Sequence, residues 1–180
     1  MIDPVLALLP AIGAGCLFLS AGVHKLRDFA RFVPTLAAYR LLPAGWATVV
    51  APAVIAAEIA AGAAALAMPV SPALGRAGAL GCALLLGAYA AAIAINLLRG
   101  NTRIDCGCLG FGARVPELRW GLVGRNALLL AAVLAALLPV SPRPLVWLDA
   151  VTVLGGLALM ALIHAGADMA LHLPRKEIRS

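Results

Sequence analysis

Five apolar stretches occupy most of the chain, at residues 5–23, 46–68, 74–98, 121–138 and 145–171. An α-helix needs about 20 apolar residues to cross the hydrocarbon core of a bilayer. The pattern therefore predicts an all-α, multi-pass transmembrane bundle of about five spans in one domain, residues 1–180. The punctuation between the stretches agrees. Asp3-Pro4, Ser71-Pro72 and Ser141-Pro142 each set a capping side chain before a proline, the expected start of a helix. Pro69 and Pro139 stop the second and fourth spans, because proline cannot continue a helix. Gly100 follows the third as a helix-terminating glycine. Trp46, Trp120 and Trp147 fall at span starts, where an indole suits the membrane interface.

Composition narrows the class. Of 180 residues 63% are hydrophobic and only 12% charged, against roughly a quarter charged in a soluble domain. That excludes a disordered chain, a fibrous chain and an ordinary soluble globule. A net charge of +6 would suggest nucleic acid in a soluble protein, but here the placement of charge is what matters. Lys25, Arg27, Arg31 and Arg40 lie in the first connection, and Arg99, Arg103, Arg114 and Arg119 in the third. Arg175, Lys176 and Arg179 lie in the tail, while the opposite side holds only Arg76 and Arg143. Cations collect on the cytoplasmic side. The N-terminus is thus expected outside and the C-terminus inside, with a lipid bilayer and not nucleic acid as the partner. No basic region precedes the first apolar run, so it does not read as a cleaved signal peptide. Ala57-x-x-x-Ala61 and Gly75-x-x-Gly78-x-x-Gly81 let helices approach closely in lipid.

The strongest chemical signal is Ile104-Asp105-Cys106-Gly107-Cys108, in the one long loop, residues 99–120. A Cys-x-Cys disulfide closes a tight ring, near the upper limit of about 6.8 Å between bridged Cα atoms, and Gly107 relieves the crowding. Such a bond closes almost no loop and adds little stability. A strained, exposed disulfide is oxidising and labile, so thiol–disulfide exchange is the better use for Cys106 and Cys108. Nearby arginines favour thiolate and Asp105 opposes it. In a cytosolic loop a transient catalytic disulfide is expected and a lasting one is not. The competing reading is copper or zinc on the two thiolates. Closing that site would need His24, His164 or His172 from helix ends, and no metal site is assigned. Cys16 and Cys82 lie inside spans, Cys16 toward the inner half and Cys82 toward the outer. They are the only candidates for a thiol relay across the bilayer, and a buried free cysteine otherwise packs as a small hydrophobe.

Polar residues inside the apolar stretches are few. A carboxylate at Glu58, mid-span, costs about 2.5–3.5 kcal/mol on insertion scales and needs a partner or a polar cavity. Helix rise puts Glu58 about 10 Å deeper than Arg125, a gap the two extended side chains bridge together. Asn96 and Asn126 are further partners. Glu58 could serve as a proton carrier, as part of a quinone pocket, or as a clasp that fixes helix register. No motif assigns a cofactor; quinone is the one these residues bring into view. His24-Lys25 ends the first span, where the lysine is expected to snorkel to the headgroups. His164, Asp168 and His172 share a stripe of the last helix, with the histidines about 12 Å apart, too far to ligate one metal together.

Several blocks occur in order. They are Gly22-Val23-His24-Lys25-Leu26-Arg27-Asp28, Ala38-Tyr39-Arg40-Leu41-Leu42-Pro43, Ala57-Glu58, Asn96-Leu97-Leu98-Arg99-Gly100, Ile104-Asp105-Cys106-Gly107-Cys108 and Arg125-Asn126. Together they resemble the methylamine utilisation MauE family, grouped with DoxX-like redox-associated membrane proteins. The resemblance implies a multi-pass bacterial inner-membrane protein with a four-helix DoxX-like core plus one further span. It implies a role beside a thioredoxin-like partner in maturing the disulfide-rich small subunit of methylamine dehydrogenase in the periplasm. Carried over by position, Cys106 and Cys108 match the redox pair, and Lys25, Glu58, Arg125 and Asn126 match the polar motif positions. A non-enzymatic assembly factor and a metal handler are the alternative functions. A periplasmic client sits awkwardly with a loop on the cytoplasmic side. Either electrons cross the membrane, or the loop folds back into it, or the orientation is inverted.

Overall fold

A computed structural model describes residues 1–102, 104 and 118–172. Among them are six helices: α1 (Pro4–Arg27), α2 (Phe29–Ala38), α3 (Ala47–Leu66), α4 (Pro72–Leu98), α5 (Trp120–Ala135) and α6 (Trp147–His172). Helices α1, α3 and α4 are long and apolar enough to cross a membrane, while α5 and the α6 stretch through Ile163 are apolar but shorter. The chain is a multi-pass helical membrane protein. Its five expected spans correspond to α1, α3, α4, α5 and α6. Helix α2 is additional and lies in what the apolar pattern leaves as a connection.

Four helices form the core. Helix α3 packs on α1 and α4, α5 packs on α4 and α1, and α1 and α4 also touch across the middle. Helix α6 rests on α1 from outside, and α2 covers one end of α1 and α3. In lipid there is little hydrophobic drive between helices, so close backbone approach has to supply the contact energy. A Cβ on Gly15 would lie 2.9 Å from the Gly62 carbonyl oxygen, and one on Gly62 would lie 2.9 Å from the Gly15 carbonyl oxygen. On α4, Gly75, Gly78 and Gly81 face Met68, Ala65 and Ala61 in turn. These contacts fix an antiparallel register for α1, α3 and α4. The expected glycine stripe is therefore the α3–α4 seam. Of the Ala57/Ala61 pair only Ala61 meets it, since Ala57 is exposed.

The caps divide. Asp3 Oδ1 accepts from the Val5 backbone N–H at 2.9 Å, as its position before Pro4 predicts. Gly100, at φ +72°, ends α4 with Asn101 N–H donating to the Asn96 carbonyl and Gly100 N–H to that of Leu97, the Schellman pattern. Ser71 stands at the start of α4 without a side-chain capping bond. Ser141-Pro142 does not begin a helix. Ser141 N–H instead donates to the Ile2 carbonyl, and Ile2 N–H to that of Pro139, so residues 139–141 pair with the N-terminus. The helix begins at Trp147, where Asp149 Oδ2 accepts from Val146 N–H at 2.8 Å.

Arg143 completes this rim. It donates from Nε and Nη2 to Asp3 at 2.8 and 2.9 Å, and from Nη1 and Nη2 to Asp149 at 2.7 and 2.8 Å. One guanidinium thus ties the start of α1 to the start of α6. The pairing raises the Arg143 pKa above its ordinary value and lowers that of Asp3 below its ordinary 3.8, in both cases chiefly through the side-chain hydrogen bonds.

Two tests follow. Gly78→Ala puts a Cβ 2.1 Å from the Ala65 backbone nitrogen, whereas a Cβ on Gly124 meets nothing within 4 Å. Overpacking costs about 1–3 kcal/mol or more, so Gly78→Ala should lower the melting temperature in detergent and Gly124→Ala should leave it nearly unchanged. Asp3 has a depressed folded pKa, so its contribution is complete above 3.8 and is lost as pH falls through the lower, folded value. Acid titration of thermal stability should show this loss in the wild type, and Arg143→Gln should diminish it.

A buried lysine–glutamate–tyrosine site

Lys25 and Tyr89 converge on Glu58, which is 0% exposed. Lys25 Nζ and Tyr89 Oη both donate to its Oε1. Register and side-chain direction explain the meeting. Gly22 lies against Ile55, Ile59 and the Glu58 Cβ, and Lys25, three residues further along α1, is about 4.5 Å nearer the α2 end than Glu58. Helical side chains lean toward their own N-terminus. In an antiparallel pair Lys25 therefore leans into the bundle and Glu58 leans back to meet it. Tyr89, on α4, runs parallel to α1 and leans the same way as Lys25.

Lys25 is held by more than its carboxylate. Its Nζ lies 5.4 Å from the Phe32 ring centroid and 5.2 Å from that of Tyr89, within range of cation–π attraction. Phe18 stacks on Tyr89 at 6.3 Å. Four helices meet at one ammonium group: α1 supplies it, α2 the Phe32 face, α3 the carboxylate and α4 the phenol. Lys25 is only 5% exposed. The snorkelling expectation is overturned, because the side chain points away from the nearer rim and α2 covers its exit. His24, beside it, is exposed.

Glu58 does not take Arg125, Asn96 or Asn126 as a partner. The depth estimate measured distance along the axis alone, but α3 and α5 stand apart across the α1–α4 contact. Asn96 is fully buried, donates to the Ala92 carbonyl at 3.0 Å and accepts from Asn101 at 2.9 Å. Asn126 is 4% exposed and Arg125 half-buried with its Nε out of solvent. Both donors at Glu58 load one oxygen, and Oε2 is buried with no protein hydrogen bond among the described residues.

Cys16 is exposed and Cys82 is fully buried. Each is level with Ala61 by the glycine register, so they share one depth, not opposite halves as expected, and face different ways. Asp105, Cys106 and Cys108 lie outside the described residues. So do the side chains of His164, Asp168 and His172, whose backbone is helical. The footing of the cysteine loop is described. Leu118 N–H donates to the Thr102 carbonyl at 2.8 Å, and Ile104 and Leu118 are buried with Tyr39, Ile93 and Leu122. Asn101 Nδ2 donates to the Ala38 carbonyl and Arg99 Nη1 to that of Arg40, joining the footing to the end of α2. Among the described residues no three His, Cys, Asp or Glu side chains form a metal-binding group.

Sequence reasoning missed Tyr89, Phe32 and α2. Apolar residues at 29, 32, 33 and 36 carry the helical period that marks α2. A tyrosine inside an alanine-rich span is likewise a polar handle that needs a partner.

A family model described as methylamine utilisation protein MauE matches residues 3–139. The chain belongs to the MauE family. It is 38% identical over 135 residues to methylamine utilization protein MauE of Paracoccus denitrificans, covering 75% of this chain and 70% of the relative. To the MauE protein of Paracoccus versutus it is 38% identical over 162 residues, 89% of this chain and 84% of that one. A 56-residue segment is 59% identical to the MauE protein of Methylorubrum extorquens, 30% of each chain. No solved structure matches significantly. The MauE match takes in α1 to α5 and the Lys25–Glu58–Tyr89 site, and stops before α6.

Breaking a buried ion pair strands a charge and costs about 3–5 kcal/mol, whereas replacing both partners is often close to neutral. Lys25→Met and Glu58→Leu should each lower the unfolding temperature strongly, and the double variant should recover most of the loss. Tyr89→Phe removes one donor and should cost less, about 1.5–3 kcal/mol as for a hydrogen bond to a charged group.

Proposed function

We propose that the chain is a membrane thiol–disulfide protein of methylamine utilisation, acting through Cys106 and Cys108. The observation that carries this reading is the Cys-Gly-Cys sequence, on a loop rooted in a membrane bundle of the MauE family. Tight ring geometry makes such a disulfide easy to open. Exchange with a thioredoxin-like partner would break one disulfide as the other forms, moving two electrons and two protons between the pairs. The client proposed from the family's context is the methylamine dehydrogenase small subunit. The buried Lys25–Glu58–Tyr89 site would hold the bundle that presents the loop.

The proposed location is the bacterial inner membrane, with the N-terminus periplasmic and the loop end of the bundle cytoplasmic. Its support is charge. Among the described residues Arg27, Arg31, Arg40, Arg99 and Arg119 stand at the loop end with Asp28, while the other end carries Arg76 and Arg143 with two carboxylates, Asp3 and Asp149, both bound to Arg143. Labelling Cys106 and Cys108 in intact cells with an impermeant thiol reagent should fail until the membrane is opened.

Thiol trapping by alkylation gel shift tests the chemistry. Cys106 and Cys108 should be found in both oxidised and reduced forms in cells, and Cys106→Ser should stop client maturation. If the pair never changes state and the double cysteine variant still supports the client, the redox reading fails and a non-enzymatic assembly factor takes its place.

A further inference from the structure

Helix α2 is the feature that the thiol reading leaves unused. It is a ten-residue helix with no fully buried residue. Phe32, Val33 and Leu36 form its half-buried face, and Arg31 stands out on the other with its side chain 75% exposed. Arg27 precedes the helix, Arg40 follows it, and Arg99 joins it from the end of α4 by donating to the Arg40 carbonyl; all three are exposed. Trp46 and Trp120, 57% and 58% exposed, start α3 and α5 at the same end.

The charge pattern of the described residues makes this strip distinctive. Lys25 is cancelled by Glu58 in the core. At the opposite rim Arg143 is shared between two carboxylates. Among the described residues at the α2 end, Asp28 alone opposes the exposed arginines, and it lies 4.0 Å from Arg31 with both groups exposed, a geometry worth little against solvent. Uncompensated cation is therefore concentrated where a short amphipathic helix lies between interfacial tryptophans. Such a helix sits in the headgroup plane, and each arginine near an anionic surface strengthens attraction roughly fivefold.

We propose that α2 with Arg27, Arg31, Arg40 and Arg99 is a binding strip for anionic phospholipid headgroups. The ammonium of Lys25 holds the strip in place through the Phe32 ring, so α2 stays docked on the bundle while its arginines face the lipid phosphates. The inference stands independently of the cysteine chemistry.

The test uses the full-length protein reconstituted in phosphatidylcholine vesicles, with spin-labelled phosphatidylglycerol and spin-labelled phosphatidylcholine compared by electron spin resonance. The protein-restricted fraction of the phosphatidylglycerol label should exceed that of phosphatidylcholine several-fold, and the preference should shrink in high salt. The triple variant Arg27→Gln, Arg31→Gln, Arg40→Gln should lose most of it, and Arg76→Gln, at the other rim, should keep it. Should the triple variant fail to insert, Arg31→Gln alone should still reduce the preference about fivefold at most. Equal restriction of both labels in the wild type overturns the proposal, as does a preference unchanged in the arginine variants. Loss of the preference on adding inorganic phosphate at constant ionic strength also overturns it, by showing a free-anion site. An acidic soluble protein bound by the strip without any lipid preference would do so too.

Discussion

A lysine buried among membrane helices must find an anion within reach, and the bundle is organised around how Lys25 finds one. Its ammonium reaches Glu58 because α1 and α3 run antiparallel and nearly touch along Gly15, Gly22 and Gly62. A larger residue at any of these positions would push the helices apart and leave a charge stranded in the core. The glycine contacts and the ion pair are therefore one device. Close approach supplies dispersion energy, which is what lipid leaves available, and the buried charges hold the helices to a single register.

Much of this was legible in the sequence. The apolar runs located the spans, Gly100 and Asp3 marked their ends, and the Gly75/Gly78/Gly81 spacing marked a helix seam. Glu58 announced itself as a costly carboxylate in an apolar span. Its partner was not legible, because helix rise gives depth and nothing about rotation or neighbourhood. Arg125 has a suitable depth yet stands across the bundle. The Lys25 backbone is too near the rim, and only the backward lean of helical side chains brings its ammonium to Glu58. Ser141 departs from its expected role at a helix start for a related reason. A serine before proline favours a helix start locally, but pairing with Ile2 at the far end of the sequence takes that segment instead.

Helix α2 links the buried pair to the surface chemistry. One of its faces supplies the Phe32 ring to Lys25, and its far end receives Asn101 and Arg99 beside the Thr102–Leu118 closure. The segment bearing Cys106 and Cys108 is thus rooted on the same scaffold that surrounds the ion pair. A change in the helix core has a short covalent and hydrogen-bonded route to the foot of that segment.

The Arg143 clasp carries a different kind of consequence, one of order in time. Asp3 and Arg143 are separated by 140 residues, so the third residue of the chain has no ionic partner until the fourth core helix has been made and the connection beyond it has emerged. The same end of α1 also packs through Ala7, Leu8 and Ala11 in the core cluster with Ala65, Met68 and Ala79, so the clasp adds to contacts made by nearer segments. The bundle is sealed late, by a residue lying beyond the matched family core and just ahead of α6. The register of α1 is already set by the glycine contacts and the Lys25–Glu58 pair, and this last contact adds only the fastening of its start to α6.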